Sequence, residues 1–421
     1  MVTIHIYIHP GSYIFIEVIK VAIYKKKIRE LVDENFDKFV EIRRDLHRHP
    51  ELGLKEFRTA NKIETHLKEW GIEVGKRINE TSVVGMIKGT CDDALVIGLR
   101  ADIDALPIQE LNNHNYKSVV DQLMHACGHD VHTAIQLGAA YVLQQLRESL
   151  PGAVKLFFQQ AEESVGGAKT MIDAGVLDEP YVSHVLGLHV CPKLEVGTFG
   201  IKYDHAYAAS DTIVLSVYGQ SAHAASPQDG VDAIVVASNI VMALQTLVSR
   251  NISPFEAAVL SFGMINGGEA HNVIANHVQI HGTLRTLDNE VRKLVKGRIF
   301  EVATNIAQAY GGEVSLRVET GYDAVINDKI ITDMIKDVAT DVLGESHVKV
   351  LKQPSLGVED FAYFAKARPS SFNRLGVANR EKGITALIHD GHFDIDEEAI
   401  RHGVLIQVMS VLALMGVGIN D

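Results

Sequence analysis

The sequence is poor in cysteine, in positive charge and in long apolar runs, and each shortage removes a class of function. Three cysteines, Cys91, Cys127 and Cys191, in 421 residues are too few, and odd in number, for a disulfide framework. The thiols read as reduced and the protein as cytoplasmic, with a cysteine left over as a candidate metal ligand. Lysine and arginine total 40 against 53 acidic residues, a formal net charge of -13. Such a chain lacks the basic field that nonspecific nucleic-acid binding requires, although one arginine in a pocket still suits a small anionic substrate. Residues 2–24 are rich in Ile, Val and Tyr, but Pro10, Gly11, Glu17 and Lys20 interrupt them, and a spanning helix needs about 20 consecutive apolar residues. Lys25-Lys26-Lys27 follows this segment instead of preceding it, and no small-residue cleavage site is present, so it does not read as a signal peptide. Residues 1–25 are set apart as an extension of unknown role, of the kind an early start codon produces, and no stable membrane insertion is expected. Internal repeats and low-complexity stretches are absent.

What is present is an ordinary globular composition, 47% hydrophobic and 22% charged, in a chain long enough for two or three units. An amphipathic helical pattern runs from Lys26 to Leu46, with Leu31, Phe36, Phe39, Ile42 and Leu46 on one face. A second helix spans Thr59 to Trp70 and stops at Gly71. Val83–Ile87 and Leu95–Leu99 read as buried strands. A long helix follows from Val131 to Leu150, then strand Val154–Phe158, helix Gly167–Ala174 and strand Val185–His189. Strands alternating with helices imply an α/β sheet covered by helices. From Ala206 the texture changes to a half-exposed strand (Ile213–Tyr218), a helix (Val231–Ser249), two strands (Ala258–Met264, Val278–Leu287) and a helix (Glu290–Ala309), which describe a small α+β domain. The α/β pattern resumes at Val314 and closes with a helix over Glu397–Leu414. The expected organisation is a catalytic domain in two pieces, 26–205 and 314–421, with a smaller domain, 206–313, inserted between them.

Four short segments carry borderline metal ligands. In His125-Ala126-Cys127-Gly128-His129-Asp130, Cys127 and His129 are two apart, so an extended loop turns both side chains the same way, and Gly128 permits a tight bend. Gln160-Ala161-Glu162-Glu163 lies at the end of a strand, where α/β proteins collect catalytic groups. Two adjacent carboxylates repel unless a metal or a raised pKa relieves them, so one can bind metal while the other takes a proton from water. His189 and His389 each follow an apolar run. Taken singly, each segment also describes a buried cysteine, an acidic turn or a structural histidine. Together, thiolate, imidazole and carboxylate at separated strand ends are a zinc-like donor set. Asp102 and Asp104 follow another buried strand and suit either ligation or a hydrogen bond to a ligand imidazole. The inserted region offers His223 among small residues, Asn272, and Arg285 at a strand end, the last suited to two-pronged carboxylate binding.

Taken in order, Arg44-Asp45-Leu46-His47-Arg48-His49-Pro50-Glu51, Arg100–Pro107, His125–His132, Ala161-Glu162-Glu163, Gly187-Leu188-His189, Asn272-Val273-Ile274, Gly282–Arg285 and Val358-Glu359-Asp360-Phe361 form a specific pattern from about Phe39 to the C-terminus. The chain resembles the amidohydrolase branch of the aminoacylase/carboxypeptidase-type metallopeptidases, which includes hippurate hydrolases, N-acyl-amino-acid amidohydrolases and plant auxin-conjugate hydrolases. The resemblance implies an α/β, zinc-exopeptidase-like catalytic domain with a mixed sheet flanked by helices, and an inserted α+β lid and dimerisation domain. It implies two divalent ions per subunit (Zn, or Mn, Co or Ni) held by Cys127, His129, Glu163, His189 and His389. Glu162 would be the general base and Asp104 the carboxylate supporting the site. His223 would reach a neighbouring subunit's active site, and Asn272 and Arg285 would contact substrate. The expected reaction is hydrolysis of N-acyl-L-amino acids by a homodimer or homotetramer joined through the inserted domain. A dipeptidase of the same fold and a catalytically silent binding protein are the alternatives. Gln160 stands where the family usually has proline, as does Ala275, and Asp390-Gly391 follow His389 where proline is common nearby; none of these removes a proposed ligand.

Overall fold

A computed structural model describes residues 12–91 and 95–417, with residues 12–23 as helix backbone only. Of the segment set apart in the sequence, residues 1–11 fall outside the described residues, and the first helix already begins at Ser12. In chain order, α1 (Ser12–Arg48) and α2 (Phe57–Glu69) precede β1 (Glu73–Val74), β2 (Val83–Lys88) and β3 (Val96–Asp102). Next come α3 (His129–Gln145), β4 (Ala153–Gln159), α4 (Gly167–Asp173), β5 (His184–Glu195) and β6 (Phe199–Ile201). Then follow β7 (Asp204–Tyr207), β8 (Ala209–Tyr218), α5 (Ala233–Asn251), β9 (Ala258–Gly267), β10 (His277–Thr286), α6 (Asn289–Ala309) and β11 (Glu313–Thr320). The chain ends with β12 (Val325–Asn327), α7 (Lys329–Leu343), β13 (Val348–Val350), α8 (Ala362–Ala367), β14 (Ser370–Ala378) and α9 (Glu398–Leu414).

Two compact units result. The first comprises residues 1–204, 326–353 and 363–421, and the second 205–325 and 354–362. The first is built on a mixed eight-stranded sheet, ordered β1-β2-β4-β3-β5-β14-β6-β13. Its centre is parallel: β4 on β3, β3 on β5, β5 on β14. That explains why β3 opens on an unbroken apolar run, Val96 to Leu99, since all seven of its residues are buried. Helices α1, α3, α7 and α9 pack on one another, and α3, α7 and α9 meet the sheet. Phe39, Leu46, Ile135, Leu143, Val404 and Val408 are among the apolar side chains that fill the core there.

The second unit is a four-stranded antiparallel sheet, ordered β11-β8-β10-β9, with α5 and α6 packed on it. Two interleaved strand-helix-strand passes give this order. Asp232 and Asp288 start the two helices by accepting backbone N–H groups with their side chains. Arg292 of α6 holds both carboxylate oxygens of Asp211 on β8, at 2.7 and 2.8 Å, and Asp323 at 2.7 Å. Helix α5 is long and apolar enough to cross a membrane by length and composition, but Val236, Ala237, Ile240, Leu244 and Leu247 are buried on the unit's own sheet. The expected boundary at 313/314 is corrected: β11 pairs with β8 from Glu313 to Thr320, so this strand belongs to the second unit, which runs to Val325. The pattern change at Val314 is that of an edge strand, whose Val314, Leu316 and Val318 alternate with exposed residues.

Candidate metal centre

The parallel register brings the candidate residues to one edge of the sheet. The last β3–β4 pair is Asp102 with Gln159, and the last β3–β5 pair is Arg100 with Gly187. Asp104 follows β3, Glu162 and Glu163 follow β4, and His189 lies on β5 just beyond its last partner on β3. His189 was expected to end its strand; β5 instead continues to Glu195, because β14 goes on pairing with it.

Cys127 and His129 are positioned by the start of α3 rather than by an extended loop. Gly128 is left-handed at φ 84°, and His129 opens the helix. A Cβ at Gly128 would lie 2.5 Å from Val190 Cγ2, so both backbone and packing exclude a side chain there. Two non-glycine residues of the site also adopt positive φ: Ala161 at 57° and His389 at 65°. Ala161 precedes the glutamate pair, and its N–H donates to the buried Glu56 carboxylate at 2.9 Å. His389 N–H donates to Ala126 O at 2.8 Å, tying that histidine to the Cys127 segment. Such conformations cost of order 1–3 kcal/mol each and persist only where their surroundings impose them.

The donors converge. One donor atom each from Cys127, His129 and His189 lie within 4.8 Å of one another, as do those of Cys127, Glu163 and His389, and those of His129, Glu162 and Glu163. Cys127 Sγ is 3.5 Å from His189 Nε2, and His389 Nε2 is 3.1 Å from Glu163 Oε1. Cys127, His129, Glu162 and His189 are buried, Glu163 is partly buried and His389 is exposed.

Hydrogen bonds fix which nitrogens are available. His189 Nδ1 lies 2.7 Å from the Val190 carbonyl, so it carries the proton and Nε2 keeps a lone pair toward Cys127. His129 Nδ1 donates to Asp104 Oδ1 at 3.1 Å, and the other Asp104 oxygen accepts the Glu163 N–H at 3.0 Å. One carboxylate thus orients two donors, the arrangement that surrounds bound metals. His132, one turn along α3, accepts the Val190 N–H on Nε2 at 2.9 Å and donates from Nδ1 to Asp102 at 2.6 Å. His132 and Glu56 received no role from the sequence. The spacing of His132 three residues after His129, on one helix face, was the available signal; for Glu56 there was none.

Burial pushes the Cys127 thiol well above its ordinary value, with Glu163 and Glu162 adding to the effect, and pushes His189 down to about 3. Burial acts downward on His129 as well, but Asp102 and Asp104 outweigh it and hold the imidazole well above its usual range. For Glu163 burial acts upward and is outweighed by His389 and His129, which keep the carboxylate ionised. His129 Nε2 and Glu163 Oε1 are buried without a hydrogen-bond partner, which is costly unless an ion takes them up. One thiol, three imidazoles and two carboxylates fit a pair of borderline divalent cations.

His223, Asn272 and Arg285 belong to the second unit. His223 pairs with Val273 in an isolated bridge, and Ala224 N–H donates to Asn272 O at 3.0 Å, so these two lie together. Arg285 lies on β10, opposite Ser210 and Val259.

A model of peptidase family M20/M25/M40 matches residues 98–412. The N-acetyl-L-cysteine deacetylase of Bacillus subtilis is 42% identical over 85% of this chain and 84% of its own. The hippurate hydrolase of Campylobacter jejuni is 38% identical over 79% of this chain and 86% of its own. Among solved structures, a dinuclear metal-binding M20 peptidase from Bacillus subtilis matches with a TM-score of 0.81 and 34% identity, covering 91% of this chain and 99% of that one.

Proposed function

The chain belongs to peptidase family M20/M25/M40, and on that premise we propose that it hydrolyses the amide bond of N-acyl-L-amino acids, releasing a carboxylic acid and a free amino acid. The observation that carries this reading is the convergence of Cys127, His129, Glu163, His189 and His389 beside a second carboxylate, Glu162. The named relatives, a deacetylase and a hippurate hydrolase, point to the same bond. The thiolate in the donor set favours the amidohydrolase over a dipeptidase of the same fold.

The five converging residues are assigned as ligands of two divalent ions. When bound, these ions make a water acidic at neutral pH and polarise the scissile carbonyl. Glu162 takes the proton of the attacking water and returns it to the leaving amine. Asp104 keeps His129 and the Glu163 backbone in place. His223 is assigned as donor to the developing oxyanion. Its Nδ1 accepts the Ala225 N–H at 3.0 Å, so the proton is on Nε2, and the ring is exposed. Arg285, with Asn272, is assigned to the substrate's α-carboxylate. Burial lowers its pKa, and it has no carboxylate partner among the described residues.

Association into a homodimer or homotetramer through the second unit is supported by the apolar side chains it exposes, Met242, Met264, Ile265 and Phe300 among them. The exposed Cys91 and the buried Cys127 and Cys191 are unpaired, which supports a cytoplasmic location.

The test is release of free amino acid from N-acetyl and N-benzoyl amino acids, with dipeptides alongside, by chelator-stripped protein given Zn, Mn, Co or Ni singly. Metal-dependent release from the N-acyl substrates is expected. Faster cleavage of the dipeptides would replace this reading with the peptidase, and no cleavage of any substrate by folded protein holding two ions would replace it with a silent binding protein.

A further inference from the structure

A second group of donors meets where α1 faces the loop between β3 and α3. His47 lies on α1 and is fully buried, as is Glu110 on the loop; His114 follows Glu110 by four residues. His47 Nε2 is 3.3 Å from Glu110 Oε1 and His114 Nε2 is 3.1 Å from the same oxygen. One donor from each residue lies within 4.8 Å of the others. Bonds of about 2.0–2.1 Å to a tetrahedral ion set its ligands roughly 3.3 Å apart, close to the separation of each imidazole from Glu110 Oε1.

Alignment says more than distance. His114 Nδ1 is buried and has no hydrogen-bond partner, and Nε2, also buried, meets Glu110 Oε1 at 3.1 Å in poor hydrogen-bond alignment. The metal centre shows the same signature, where Glu163 Oε1 is 3.1 Å from His389 Nε2 and lacks a hydrogen-bond partner. His47 is also oriented as metal-binding imidazoles are: Nδ1 lies 2.8 Å from Asp130 Oδ2, and Nε2 faces Glu110.

Charge favours a cation. Four carboxylates surround the cluster: Glu110, Asp130, Asp394 and Glu397. Arg43 meets Asp130 at 2.8 Å and Asp394 at 3.1 Å, and Arg44 meets Glu397 at 2.7 Å. With both imidazoles neutral, two guanidiniums leave a deficit that one divalent ion fills.

We propose that His47 Nε2, Glu110 Oε1 and His114 Nε2 form a third divalent-cation site, zinc-like in its donors and structural in its role. Asp394 Oδ2, 3.9 Å from His114 Nε2, is in reach as a further oxygen. The ion fastens the loop to α1 and, through His47 and Asp130, steadies the residue that follows His129. It touches no residue assigned to the reaction, so the site stands or falls apart from the proposed activity.

The experiment is elemental analysis of the full chain, stripped with chelator, re-equilibrated with zinc and desalted, beside His114→Ala and Glu110→Gln variants checked for folding by circular dichroism. Three ions per chain are expected for the unaltered protein and two for each variant, with N-acyl hydrolysis continuing in both. Two ions per chain in the unaltered protein overturn the proposal. Three ions in all three proteins overturn it too, as adventitious binding. Loss of every ion from a folded variant would place His114 and Glu110 in support of the metal centre and overturn it likewise.

Discussion

Glu162 and Glu163 are neighbours in sequence to which we assign separate tasks. Glu163 has its N–H on Asp104 and its carboxylate beside His389, as suits a ligand, while Glu162 is the buried second carboxylate. Glu162→Gln should therefore lower kcat by about 10²–10⁴-fold, the usual worth of a general base, with two ions per chain still bound. Near-normal turnover would remove Glu162 from that role, and lost metal would make it a ligand. His223→Ala should lower kcat by roughly 10²–10³-fold if the ring donates to the oxyanion; a change confined to KM would make it a binding group. At this scale the sequence displays which side chains are chemically able to share an ion, because Cys127, Glu163 and the histidines announce themselves by type. Of the residues that aim them it displays Asp104, which holds His129 and the Glu163 N–H, but not Glu56, and His132 only through its spacing from His129. His132 acts through the Val190 N–H and Glu56 through the Ala161 N–H, contacts between segments distant in the chain.

The element that matters most is the start of α3. Helices usually open on Ser, Thr, Asp or Asn, and here Gly128 takes the place, which is why the helix looks as though it begins at Val131 and why Cys127 and His129 look like neighbours on an extended loop. The left-handed Gly128 turns the two donors instead. Gly128→Ala should cost about 1–2 kcal/mol from backbone conformation alone, with the clash against Val190 added, and should reduce bound metal because the displaced residues flank it. Denaturant midpoint and metal content, measured on the same preparation, check both effects; an alanine variant with unchanged stability and full metal would mean the loop tolerates another path. β5 illustrates the opposite error. Its apolar run ends near His189, yet its pairing with β14 carries it on to Glu195, since strand length follows the partner as well as the side chains.

Over the whole molecule, the alternation of strands and helices was enough to read an α/β body with an α+β insertion, because each pattern has its own period. The return at Val314 was misjudged, since an alternating edge strand such as β11 carries no mark of which sheet it joins. Each unit has its own apolar core, and every residue assigned to the two ions lies in the first unit. Ions that bind only folded protein stabilise it by mass action, about 4.1 kcal/mol at a thousandfold excess over Kd. Chelation should therefore lower the calorimetric transition of the first unit by several degrees and leave that of the second in place, since a unit with a separate core can melt separately. Restored metal should reverse the shift. A single transition that moves as one would show that the two cores unfold together, and a first-unit transition indifferent to chelator would mean that Cys127 and its companions hold no ion in the folded protein.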